Sequence, residues 1–115
     1  MSDFRKLEVW QLARRLVADL YVITEGWPRS ERYGLASQIQ RAGVSIAANV
    51  AEGSGRKADG DFRRFVDFAL GSASEVECLL ILAGDLNLSH TAELETGIED
   101  VRRVRRMLIG LRRSL

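Results

Sequence analysis

The chain has 115 residues, of which 46% are apolar and 29% charged, with one proline and one cysteine. That is enough for one domain, spanning 1–115, with its own core, and it excludes a disulfide scaffold. The formal charge of +1 conceals an asymmetry: residues 1–100 carry 11 Lys/Arg against 16 Asp/Glu, a net of −5, whereas residues 101–115 carry six arginines and no acid, a net of +6.

The N-terminal run MSDFRKLEVW has no apolar stretch of the secretory kind. The longest apolar run, Cys78 to Ala83, is far too short to cross a bilayer, so no membrane partner is expected. A single cysteine can form neither an internal disulfide nor a metal site alone, and a reducing, cytoplasmic setting fits it.

Val9, Trp10, Ala13, Leu16, Val17, Leu20 and Tyr21 recur every three to four residues, which predicts a first helix from about Leu7 to Glu25. Gly26-Trp27-Pro28 ends it, because proline cannot continue a helix and turns the residue before it from helical angles. Ser30 suits the N-cap of a second helix reaching about Glu52, with Glu31 in its first turn. Ile39, Gly43, Ile46 and Val50 share one face of that helix, and Gln38, Ser45, Asn49 and Glu52 form a polar stripe beside it. Ala42, Gly43, Ala47, Ala48 and Ala51 keep its surface small, so a neighbouring backbone can come close, within the chain or between chains.

Gly53 to Ala58 is the clearest loop, but it lacks the preceding strand and the Gly-Lys-Ser/Thr ending of a phosphate cradle. Its glycines read as a helix C-terminus. Asp59 or Asp61 is the expected cap of a third helix, whose inner face runs through Phe62, Phe65, Val66, Ala69, Ala73, Val76, Leu79, Leu80 and Ala83 to about Leu86. Cys78, inside VECLLIL, reads as a small core residue. Asn87 to Thr91 is a short link with Ser89 and Thr91 as candidate caps, and His90 reads as a solvated loop residue or helix start. The fourth helix runs to near the C-terminus, with Leu94, Val101, Leu108 and Leu115 seven apart and Val104 and Leu111 beside them. Four amphipathic helices joined by short links predict an all-α, antiparallel, up-and-down four-helix bundle.

Little in the sequence supports catalysis. A bundle-type metal site needs carboxylates and Glu-x-x-His pairs; the chain has one histidine and no such pair, so no metal or other cofactor is expected. Ser45, Ser72 and Cys78 have no partner base to activate them. The expectation is a non-enzymatic protein without catalytic residues. Gln38, Asn49, Glu52, Ser72 and Glu75 are expected to form a polar network across the second and third helices that fixes register or subunit contact, with Arg41 or Arg56 neutralising a carboxylate.

At 100° per residue, Arg102, Arg105, Arg106 and Arg113 spread over one broad face of the fourth helix, and Arg103 lies nearer another. The plain reading is a solvated face. The functional reading is a phosphate-binding surface, since the guanidinium fork grips phosphate oxygens in pairs. Arg41, Arg56 and Lys57 are the candidate additional contacts. No base-reading motif is visible, so such binding to RNA or DNA would address the backbone and weaken strongly with salt.

Several segments together carry a resemblance: Phe4-x-x-Leu7-x-Val9-Trp10-x-x-Ala13, Trp27-Pro28-x-x-Glu31-x-Tyr33-Gly34-Leu35, the run from Gln38 to Arg56, Phe62-x-x-Phe65, and Gly71-Ser72-x-x-Glu75. In these the chain resembles the bacterial four-helix-bundle family encoded in intervening sequences of 23S rRNA genes. That family is similar to the accessory variability determinant of diversity-generating retroelements. The resemblance implies a ring-like homopentamer and, through the retroelement relative, binding to nucleic acid and to a reverse transcriptase. Two positions depart from the family pattern: Gln40 stands where a basic residue is commoner beside Arg41, and Trp27 where phenylalanine is commoner. The combined expectation is a homo-oligomeric bundle that associates with nucleic acid through basic helix surfaces. The alternative is an adaptor ring that docks a partner protein without touching nucleic acid.

Overall fold

The computed structural model describes residues 3–115; Met1 and Ser2, the first two residues of the 1–115 span, lie outside the described residues. A short 3-10 turn at Phe4–Lys6, capped by the Asp3 carboxylate accepting from the Arg5 N–H at 3.0 Å, leads into α1 (Glu8–Glu25). A second 3-10 turn at Arg29–Glu31 precedes α2 (Leu35–Ser54), followed by α3 (Asp59–Asp85) and α4 (Thr91–Arg113).

Side-chain pairs along the helices fix the topology. Thr24 of α1 meets Gln40 of α2, Ser45 of α2 meets Ser72 of α3, and Asp67 and Glu77 of α3 meet Arg112 and Arg102 of α4. Thr24 is late in α1 and Gln40 early in α2, Gly53 at the end of α2 packs on Phe62 and Phe65 at the start of α3, and partners in α4 fall from Arg112 to Arg102 as those in α3 rise from Asp67 to Glu77, so consecutive helices are antiparallel. α1 closes the square against α4, as Gly97 approaching Ile23 shows. The longest principal axis is 44 Å, close to the roughly 40 Å expected of the 27-residue α3 at about 1.5 Å per residue.

All four helices turn one stripe into a shared core. Leu16, Leu20, Ile39, Ile46, Val50, Val66, Val76, Leu80, Val101 and Leu108 are its fully buried large side chains. The α1–α2 and α2–α3 contacts are close because glycine occupies the crossings. A Cβ on Gly43 would stand 2.7 Å from Leu20 Cδ1, and one on Gly53 would stand 2.8 Å from both Phe62 Cδ1 and Phe65 Cβ. Gly53 is therefore a packing residue inside α2, and Gly55 occupies the C-cap.

Helix starts differ from expectation in three places. Ser30 caps nothing, because it lies within the 3-10 turn, and α2 begins only at Leu35 behind Gly34. Neither Asp59 nor Asp61 caps α3: Ala58 holds the cap position and both acids sit in the first turn. His90 holds the N-cap position of α4, with no side-chain bond from Ser89 or Thr91. Ser89 is engaged elsewhere, accepting the Trp27 indole N–H. The end of α3 lies where expected, followed by Asn87, which takes a left-handed φ of 54°. Its N–H reaches Gly84 O at 3.1 Å and the Leu88 N–H reaches Ala83 O at 3.0 Å, the paired bonds of a Schellman ending.

Candidate nucleic-acid interface

Six arginines close the chain, and α3 determines what each can do. Glu77, with a side chain only 15% exposed, accepts from Arg102 Nε at 2.8 Å and from the Arg105 guanidinium as well. Arg105 is partly buried, and its Nε has no partner. Asp67 takes Arg112, whose guanidinium hydrogen bond holds the Asp67 carboxyl below its usual range and raises Arg112 in turn. Arg103, Arg106 and Arg113 are exposed, and among the described residues they make no ion pair. Two carboxylates thus occupy three of the six arginines.

Basic side chains continue onto one end of the bundle, where Arg64 is itself paired with Asp61 at 3.8 Å. There α2 ends, α3 begins and α4 ends, as the Arg63 guanidinium donating to the Leu115 carbonyl shows. Phe65 lies between two guanidiniums, Arg56 at 4.9 Å and Arg64 at 5.3 Å from its ring centre. Such stacking stabilises a cation over a ring face while leaving N–H groups outward. Arg56 also pairs with Glu52 at 2.7 Å, and Lys57 is exposed in the link between α2 and α3. Arg63 and Arg64 belong to this corner but escape a search for clusters, because only the fold brings them beside Arg112 and Arg113. Arg41 lies apart, exposed on α2 next to Tyr21 and Gln40.

The polar stripe of α2 is built around Ser45. Ser72 Oγ donates to Ser45 Oγ at 2.8 Å, and Asn49 Nδ2 donates to the same oxygen at 3.0 Å and to Ser45 O at 2.8 Å. Glu52 turns to Arg56 instead. Gln38 and Glu75 are exposed, without a side-chain hydrogen bond among the described residues. Cys78, expected inside, is exposed: it lies two residues past buried Val76, about 200° around the helix.

Residues 5–110 match the family model for the 23S rRNA-intervening sequence protein. The chain belongs to the 23S rRNA-intervening sequence protein family. A crystal structure of a protein of unknown function from the S23 ribosomal protein family of Bacteroides thetaiotaomicron VPI-5482 superposes with a TM-score of 0.85 at 22% identity, covering 91% of this chain and 95% of that one. At that identity the likeness concerns the fold. No curated protein matches the chain.

In this member of the 23S rRNA-intervening sequence protein family, the ion pairs described above join α3 to α4. Among the described residues, no three His, Cys, Asp or Glu side chains are grouped to hold a metal ion. Asp19 and Asp100 face each other across α1 and α4 in a hollow of about 170 Å³, bordered by Arg15 and Arg103. Burial, then the charges of Asp19 and Glu99, raise the Asp100 carboxyl above its usual range. No helix among the described residues is long and apolar enough to cross a membrane.

Proposed function

We propose that this protein is a non-enzymatic, cytoplasmic, homo-oligomeric bundle, a pentameric ring, that associates with the backbone of RNA or DNA. The observation that carries the reading is the charge imbalance of the C-terminal half of α4. Arg103, Arg106 and Arg113 make no ion pair among the described residues, and exposed Lys57 adds a further cation at the adjoining end, where the Phe65-stacked Arg56 and Arg64 are paired with Glu52 and Asp61. Arg106 and Arg113 hold phosphate; Arg102, still half exposed, adds to the field, while Arg105 braces α4 against α3. Arg41, Arg56 and Lys57 are outlying contacts. Ring symmetry would repeat the surface, so that individually weak contacts sum.

Self-association is supported by apolar surface left uncovered on the protomer. Phe68, Cys78, Ile81, Leu82 and Leu86 lie exposed along α3. A shallow apolar groove of about 350 Å³ between Phe4, Trp10, Val17, Val44 and Ala48 lies on the α1–α2 side. Exposed apolar side chains gathered on one helix are the kind of surface that association covers. The same α3 stripe favours the second reading, an adaptor that docks a partner protein such as a reverse transcriptase.

Titration of fluorescent single-stranded RNA and duplex DNA at low salt tests the primary reading. Wild type should bind both with little sequence preference, and R106Q/R113Q should bind several-fold more weakly at an unchanged thermal midpoint. Absence of low-salt binding by wild type would reject nucleic-acid association and leave the adaptor reading.

A further inference from the structure

A second concave surface lies away from the α4 corner, where α1 leaves the bundle and the chain turns into α2. The cleft measures about 610 Å³, within the range of small-molecule sites. Its walls are chemically mixed in a specific way. Trp27 is 8% exposed and anchored through its indole N–H to Ser89, so it is a fixed wall. Tyr21 is 47% exposed and presents an aromatic side chain at the rim. Arg29 and Arg32 line the cleft, both exposed and both without an ion pair among the described residues. Glu25 is the one carboxylate in the lining.

Gln40 gives the cleft a positioned amide. Its Nε2 donates to Thr24 Oγ1 at 3.0 Å, and the buried Thr24 hydroxyl is itself tied to Leu20 O at 2.9 Å. The Gln40 carbonyl oxygen makes no hydrogen bond among the described residues, so an anchored acceptor remains available. A neighbouring hollow of about 500 Å³ shares Tyr21 and Gln40 and carries Arg41 on its far side.

We propose that this cleft binds a nucleotide, with its phosphate on Arg29 and Arg32, its base against Tyr21, and a base edge at the Gln40 amide. A bare anion would leave the aromatic and amide groups unused, and an apolar ligand would strip water from two guanidiniums without recompense. A nucleotide uses all of them, and Glu25 accepts from a ribose hydroxyl or base amino group on the side away from the arginines. The ligand is either a free mononucleotide or one unit of a single strand, whose next phosphate would reach Arg41. Stacking on an aromatic ring beside a cationic track is the common mode of single-strand binding. This site does not require the α4 surface.

The test titrates AMP and UMP by calorimetry and a labelled single-stranded RNA by anisotropy, against wild type, R29Q/R32Q, Y21A and R106Q/R113Q, with fold and assembly checked by circular dichroism and sedimentation. If the cleft takes a free nucleotide, wild type binds a mononucleotide, R106Q/R113Q binds it equally, and R29Q/R32Q loses at least about tenfold. If it takes a strand, the mononucleotides bind weakly or not at all. R29Q/R32Q then lowers the salt slope for the RNA by roughly 0.7, the share of the one phosphate that the two arginines hold together. Tyr21→Ala weakens either ligand about tenfold. Binding of every ligand within twofold of wild type by both R29Q/R32Q and Y21A overturns the cleft, as does absence of binding by wild type. Where no mononucleotide binds wild type, loss of RNA only in R106Q/R113Q overturns the cleft and upholds the α4 surface, and loss only in the cleft variants does the reverse.

Discussion

Glu77 turns part of a basic helix into structure. It accepts from both Arg102 and Arg105, and the partly buried Arg105 already has an unsatisfied Nε. Glu77→Gln should therefore cost about 1–2 kcal/mol, read by denaturant unfolding, because it leaves a half-buried guanidinium without its counter-charge. Replacing Arg106 should change stability by less than about 0.5 kcal/mol. Asp100 acts in the opposite sense. Its folded-state pKa is raised, so the ionised form is disfavoured in the native state, and the fold gains stability as pH falls through that raised value and loses it as pH rises past it. Asp100→Asn should raise stability at neutral pH by about 0.5 kcal/mol, a modest figure because the site is partly solvated, and the difference from wild type should shrink in acid. Thermal midpoints of the two proteins at neutral and acidic pH measure both effects. Exposed Asp67 contributes with the contrary sign, since its lowered pKa means that its pairing with Arg112 is present above the ordinary carboxylate range and lost on acidification.

At the scale of elements, apolar spacing was sufficient to find all four helices. The features it missed depend on contacts or phase. Helix bounds at Glu25 and Leu86 lie within a residue of the α1 and α3 ends, because Gly26-Trp27-Pro28 and Asn87 are local stop signals. The start of α2 lies five residues past Ser30, because the capping side chain sits in a 3-10 turn that the local sequence also permits. Cys78 falls outside the buried phase of α3 although its neighbours in sequence are apolar, and measuring its angle from Val76 would have placed it correctly. The pairings of Glu77 and Asp67 were not legible, since they depend on the register of α3 against α4 across more than 20 residues. The role of Gly53 is likewise a contact property. Gly53→Ala should destabilise by about 1–3 kcal/mol, because the Cβ would meet the rigid Phe65 Cβ, with the cost read from chemical unfolding. Asn87→Ala should cost about 1 kcal/mol by placing a residue less suited than asparagine in the left-handed region, and Asn87→Gly should not.

At the scale of the whole molecule, opposite properties are separated on different surfaces. α3 shows apolar side chains outward, whereas α4 and the adjoining bundle end show cations. In the proposed oligomer, that separation would let one surface assemble while the other stays in water. F68E/L82E should shift the sedimentation coefficient towards the monomer, since two charges on the α3 stripe would have to be desolvated in an interface; unchanged sedimentation would remove α3 from the assembly. The claim tested most directly is that the unpaired arginines of α4 hold phosphate while the paired ones hold the fold. The deciding measurement is the slope of log K against log salt for duplex DNA, for wild type and R106Q/R113Q. Two lost phosphate contacts predict a slope smaller by roughly 1.8 per protomer engaged, with the thermal midpoint unchanged. Identical slopes, or no binding by wild type at low salt, would contradict it.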